Sequence, residues 1–185
     1  MTHGVRRHTI TAPSGCGLIR TRRLNAAITA TAWLTLISTT ALGAELDECF
    51  AEAAHRYGIA VELLHAIAAH ESRFDPLAVG RNADGSRDLG VMQINTWWLP
   101  RLAKYGIGEG HLREPCTNVH VGAWILAGNI ARYGYTWEAV GAYNAGTATT
   151  KEAGRRRENY ARKVATQLVL HSRSGGLRHA AGEHQ

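Results

Sequence analysis

The sequence predicts a mainly α-helical single domain. Apolar residues recur at helical spacing in one segment after another between residues 45 and 170, strand-like alternation is scarce, and no internal repeat is present. A chain of 185 residues has room for one such domain and a flanking segment or two.

Residues 1–44 are the first flanking segment. They hold five basic residues (Arg6, Arg7, Arg20, Arg22, Arg23) and no acidic one, then the apolar, Thr- and Ala-rich run from Leu24 to Leu42, and the small-residue end Ala41-Leu42-Gly43-Ala44. A basic region, an apolar region and a small-residue site in that order make a secretory signal peptide, so the chain is expected to be exported. The competing reading is an uncleaved anchor, because the run approaches the length of a membrane span. Its threonines and cleavage-like end weigh against that.

The leader also distorts the charge. The whole chain is +6, yet residues 45–185 carry 16 basic and 15 acidic residues, a net of +1. Within them, residues 45–150 are −4 and residues 151–185 are +5. Nucleic-acid binding would rest on Arg155-Arg156-Arg157 alone, a run more often a solvated face or a contact to an anionic surface, and it is not expected.

Past the leader, Cys49 and Cys116 remain as an even pair in an oxidising space. Bridged, they would close a 67-residue loop, worth roughly 4 kcal/mol on the chain-entropy account. Two buried free thiols are the alternative. No zinc site is expected, since His65 and His70 are five apart and HExxH is absent. No cofactor is implied.

The elements follow in order. Leu46, Cys49, Phe50, Ala53 and Ala54 predict a helix over 45–57, ended by Gly58. A second spans 61–73, and Asp75-Pro76 prevents its continuation. Residues 77–89 read as loop, with Asp84-Gly85 able to close a small hairpin. A short helix over 97–105 tolerates Pro100 only in its first turn. Pro115 to Tyr133 makes a long apolar helix, with Trp124 read as core. Thr136 caps a fifth helix that ends at Asn144-Ala145-Gly146. Residues 147–157 read as polar and mobile, 159–170 return to helical spacing, and 171–185 read as a flexible basic, Gly- and His-containing tail.

Glu71 is the residue of greatest chemical interest. Steps of three, four and seven back from it reach Ala68, Ile67 and Leu64, so its carboxyl lies on the apolar stripe of its helix. An apolar setting disfavours the charged form and raises the pKa, as a general acid near neutral pH requires. A carboxyl grazing the core rim is the plainer alternative. Gln93 and Asn95 offer paired donors and acceptors suited to sugar hydroxyls and acetamides, or to turn and cap chemistry.

Four combinations then stand together: His70-Glu71-Ser72-Arg73-Phe74, Asp88-Leu89-Gly90-Val91-Met92-Gln93-Ile94-Asn95, Ala142-Tyr143-Asn144-Ala145-Gly146, and Asn159-Tyr160-Ala161. In order and spacing they resemble the motifs of soluble lytic transglycosylases, over about residues 46–168. The nearest likeness is to small exported members that accompany type III secretion, conjugation and type IV pilus machines. Val91 stands where Leu is commoner.

The resemblance implies a lysozyme-like fold with a glycan-binding cleft in a periplasmic enzyme. It also implies non-hydrolytic cleavage of the β-1,4 bond between N-acetylmuramic acid and N-acetylglucosamine in peptidoglycan, leaving a 1,6-anhydromuramoyl end. Glu71 would be acid and then base. Ser72 would hold the Glu71 loop or touch substrate, and Met92, Gln93 and Asn95 would line sugar subsites. Tyr143 and Asn144 would contact glycan or the acid's surroundings, and Tyr160 would donate its hydroxyl to Glu71. Asp75 and Asp88 fall at loop motifs rather than as the matched partner of a two-carboxylate hydrolase. Partners would be glycan strands and components of an envelope-spanning machine. A non-catalytic glycan-binding assembly factor and a lysozyme-like hydrolase are the rival readings.

Overall fold

The computed structural model describes the backbone of residues 43–182 and side chains as far as Ser172. The signal-peptide expectation lies outside these residues, except that 43 and 44 already belong to a helix. Among the described residues no helix is long and apolar enough to cross a membrane.

Helix α1 covers 43–57 and is followed by α2, Val61–Glu71. Three short strands come next: β1 Val79–Arg81, β2 Arg87–Leu89 and β3 Ile94–Asn95. They form one antiparallel sheet in that order, with Gly80 opposite Asp88 and Asp88 opposite Asn95. The Asp84-Gly85 turn does close the first hairpin, where Asp84 Oδ1 accepts from the Ser86 N–H at 2.9 Å. A 3₁₀ turn, Thr96–Trp98, leads into α3, Leu99–Leu102, with Pro100 in the first turn as its missing N–H demands. Helix α4 is Pro115–Tyr133, α5 is Trp137–Ala145 and α6 is Lys151–Gly182.

The core forms around α4. Val119, Val121, Ala123 and Leu126 face Phe50 of α1, Leu64 and Ile67 of α2, and Leu89, Met92 and Ile94 of the sheet region, all buried. Cys49 and Cys116 form a disulfide that ties α1 to the first turn of α4, with Cα atoms 5.2 Å apart.

The sequence misplaces the C-terminal region. Helix α6 begins at Lys151, inside the stretch expected to be mobile, because Thr150 Oγ1 accepts from the Ala153 N–H at 3.1 Å and Ala153 is buried. Its helical backbone also continues to Gly182, through the expected tail. The Arg run divides. Arg155 and Arg156 pair with Glu152 on the exposed face. Arg157, only 8% exposed, donates to the carbonyls of Gly146 and Ala148 and pairs with Glu138 at 3.3 Å. Its charge therefore serves the end of α5 rather than an external surface. Gly141 makes this possible, since a Cβ there would lie 2.4 Å from the Arg157 carbonyl oxygen.

Candidate active site

Glu71 is the last residue of α2, and its side chain leaves the apolar stripe at the edge of a cleft of about 210 Å³. The cleft is lined also by Asn82, Asp88, Gln93, Ile94, Asn95, Trp98, Ile125, Tyr143 and Asn144. Burial pushes the Glu71 carboxyl up to about 7, opposed by the hydrogen bond from Tyr160. The negative charge of Asp88 adds to the rise, and Lys163 works against it. Tyr160 donates its hydroxyl to Glu71 Oε1 at 2.5 Å. That hydroxyl is itself held far above its ordinary value by burial, so it stays protonated and remains a donor.

Three side chains fasten the segment facing the acid. Ser72 Oγ donates to the Val91 carbonyl at 2.8 Å, tying the end of α2 to the loop, and is itself not part of the cleft lining. Tyr143 lines the cleft, lies parallel to the Tyr160 ring at 6.4 Å, and donates to the Met92 carbonyl at 2.9 Å. Asn118 of α4 is fully buried: its Nδ2 donates to Leu89 and Leu112 carbonyls at 2.8 and 2.7 Å, and its Oδ1 accepts from the Met92 N–H at 2.7 Å. Gly90, at φ +72°, permits this, because a Cβ there would meet the Asn118 amide at 2.7 Å.

Met92 departs from expectation. Its side chain is 0% exposed and packs on Gly122, so it faces the core and not a sugar subsite. What it contributes to the site is backbone. Asn95 lines the cleft but its amide is engaged internally: Nδ2 donates to Asp88 and Ser86, and Oδ1 accepts from the Trp97 N–H. Cap and turn chemistry accounts for it. Gln93 sits at φ +47°, a strained position for a residue with a Cβ, and donates through Nε2 to the Gly90 and Ala78 carbonyls. Gln93 lines the cleft. Asn144 is exposed on the opposite wall.

Sequence reasoning missed Asn118 and underrated Asp88. The β2–β3 register sets Asp88 beside Asn95 on one face of the sheet, within the same cleft as Glu71. Asp88 accepts from Asn95 at 2.8 Å and from Asn82 at 3.0 Å. Among the described residues, one group has metal-ligand geometry, Glu52, Cys116 and His120, and its sulfur belongs to the disulfide.

Residues 48–166 match the transglycosylase SLT domain. The chain belongs to that family. It is a lytic transglycosylase, with peptidoglycan as its substrate class. Invasion protein IagB of Salmonella typhimurium is 47% identical over 133 residues, 71% of this chain and 79% of the relative. Protein IpgF of Shigella flexneri is 46% identical over 109 residues, 58% of this chain and 72% of the relative. An inactive variant of lytic transglycosylase Slt from Pseudomonas aeruginosa shares the fold, with a TM-score of 0.54 at 21% identity, over 70% of this chain and 24% of the other. The mainly helical, lysozyme-like architecture is thus that of an SLT domain.

Proposed function

We propose that this SLT domain cleaves the β-1,4 bond between N-acetylmuramic acid and N-acetylglucosamine without water, leaving a 1,6-anhydromuramoyl end. Glu71 gives its proton to the glycosidic oxygen as the bond to muramoyl C1 breaks, and the N-acetylglucosamine hydroxyl departs. The Glu71 carboxylate then takes the proton of the muramoyl C6 hydroxyl, whose oxygen closes on C1. The proton count of Glu71 is restored and no water is consumed.

The observation that carries this reading is a single carboxyl raised to about 7 at the cleft edge. Near neutral pH both its protonated and ionised forms are populated, which suits a group used first as acid and then as base. Tyr160 supports it by favouring the ionised form between the two steps. On this reading Gln93 and Asn144 contact glycan, a role supported by their lining the cleft, and Tyr143 fixes the wall through the Met92 carbonyl.

A second reading has a specific observation behind it. Asp88 shares the cleft and raises Glu71, as a second carboxylate in a hydrolase would. Mass spectrometry of muropeptides released from purified sacculi separates the two. Anhydromuramoyl ends, lost in Glu71→Gln, are expected; reducing muramoyl ends, lost also in Asp88→Asn, would replace the transglycosylase step with hydrolysis.

The cellular reading follows from the leader composition, the disulfide and the relatives. The chain is exported to the periplasm, where Cys49 and Cys116 stay oxidised, and opens local gaps in the wall for an envelope-spanning secretion, conjugation or pilus machine. Similarity to a protein named for invasion supports that role. Deleting the gene should stall assembly of the machine, and wild-type but not Glu71→Gln protein should restore it.

A further inference from the structure

The wall of the cleft continues beyond the acid. Trp98 and Ile125 line both the catalytic cleft and a wider trough of about 660 Å³. Trp97, 73% exposed, meets Trp98 edge-on at 5.2 Å, and Trp98 meets Trp124 at 5.7 Å. Arg101 lies over both indoles, its guanidinium carbon 5.7 Å from the Trp98 ring centre and 5.1 Å from that of Trp124. Arg132, at the end of α4, lines the same trough. Among the described residues neither arginine pairs with a carboxylate, whereas Arg87, Arg113, Arg155, Arg156, Arg157 and Arg162 all do.

This chemistry does not match more sugar. The glycan backbone of peptidoglycan is neutral wherever the lactyl groups are joined to peptides, and the carboxylates lie on those peptide stems. A guanidinium stacked on an indole keeps its in-plane N–H edge available to a carboxylate. A trough that carries Arg101 over two indoles and Arg132 over the Tyr133 ring, and that opens from a glycan cleft, is complementary to an anionic branch leaving the strand. We propose that the trough receives the peptide stem of the substrate: Arg101 and Arg132 pair with stem carboxylates, and Trp97 covers the apolar side chains. The proposal rests on the reading of the cleft as a glycan site.

Binding by the Glu71→Gln protein tests this apart from the chemistry. Co-sedimentation is measured with intact sacculi and with glycan strands stripped of their peptides by an amidase. Glu71→Gln should bind the stem-bearing material about tenfold more tightly, a modest sum for two partly screened charge pairs. Adding Arg101→Gln, which keeps an aliphatic stem over the indoles, and Arg132→Gln, which keeps one beside Tyr133, should abolish that preference and leave binding to stripped strands in place. About 1 M salt should weaken the preference in the same way. Equal binding of both materials by Glu71→Gln would overturn the proposal, as would a preference that survives the arginine changes. Arg132→Gln alone, remote from the Trp98–Trp124 stack, should lose part of the preference; a loss of equal size on both materials would mean a glycan platform instead. Intact preference in a wild-type protein that releases no anhydromuramoyl product would support the stem site and count against the proposed reaction.

Discussion

Replacing Glu71 by Gln should make the folded domain more stable, and only at higher pH. Burial moves this carboxyl from an ordinary 4.5 to about 7. Below 4.5 the group is protonated in both folded and unfolded chains, so wild type and variant should be alike. As pH rises from there the unfolded chain ionises first, while the folded chain holds its proton until about 7; wild-type stability falls across this window and levels off above it. The amide does not titrate and is nearly isosteric, and its oxygen can still accept from Tyr160. At about 1.36 kcal/mol per pH unit, the full displacement sets a ceiling of ~3 kcal/mol. Water in the cleft screens the charge, which brings the expected gain to about 1–2 kcal/mol. For a domain of this size that is about 3–6 °C in Tm. Thermal unfolding of both proteins at pH 4 and pH 8 reads it directly, and all other titrating groups cancel in the comparison. A variant that melts at or below wild type at pH 8, or a gap of the same size at both pH values, would refute the raised carboxyl.

Three further outcomes are expected. Tyr160→Phe removes the hydrogen bond that opposes burial at Glu71, so the pH–activity profile should move to higher pH and kcat fall about tenfold, a loss of ~1.4 kcal/mol. An unmoved profile would separate Tyr160 from the acid. Asn118→Ala strands the Met92 N–H and two carbonyls in the core, and should cost about 3 kcal/mol in urea unfolding. Gly141→Ala drives a methyl into the Arg157 carbonyl oxygen and should cost about 2–4 kcal/mol, where an ordinary helical Gly→Ala change would stabilise.

What the sequence made legible follows from which forces are local. Helices α4 and α5 could be read because their ends are written beside them: Pro115 at the start of one, the Thr136 cap on the other. Glu71 could be read because spacing alone put it on an apolar stripe. Helix α6 could not be read in its first turns, since Lys151 to Arg157 has no apolar stripe; its burial depends on Gly141 letting α5 approach, a contact no local pattern announces. The orientation of Met92 was hidden for a related reason. Gly90 and Gln93 both take left-handed backbone, so neither a helical nor a strand period applies between them, and Met92 turns inward onto Gly122. Asp88 reads as loop until the hairpin register is known, and only then does it face the acid's cleft.

The way this wall is held explains how a strained segment can keep a fixed shape at the edge of a cleft. The stretch from Gly90 to Asn95 has few ladder hydrogen bonds of its own. Three helices supply the rest: α2 ends in Ser72 bonded to Val91, α4 sends Asn118 to Leu89 and Met92, and α5 sends Tyr143 to Met92. Every one of these bonds reaches a main-chain group of the segment or of Leu89 just before it. None engages the Gln93 side chain, which lines the cleft and donates to the Ala78 and Gly90 carbonyls while the backbone beneath it stays fixed. A fourth helix, α6, brings Tyr160 to Glu71 at the end of α2 across 89 residues of sequence. Packing that stabilises the fold thus sets the distance between acid and wall, and a cut in any of the three clamps should reduce kcat before it unfolds the domain.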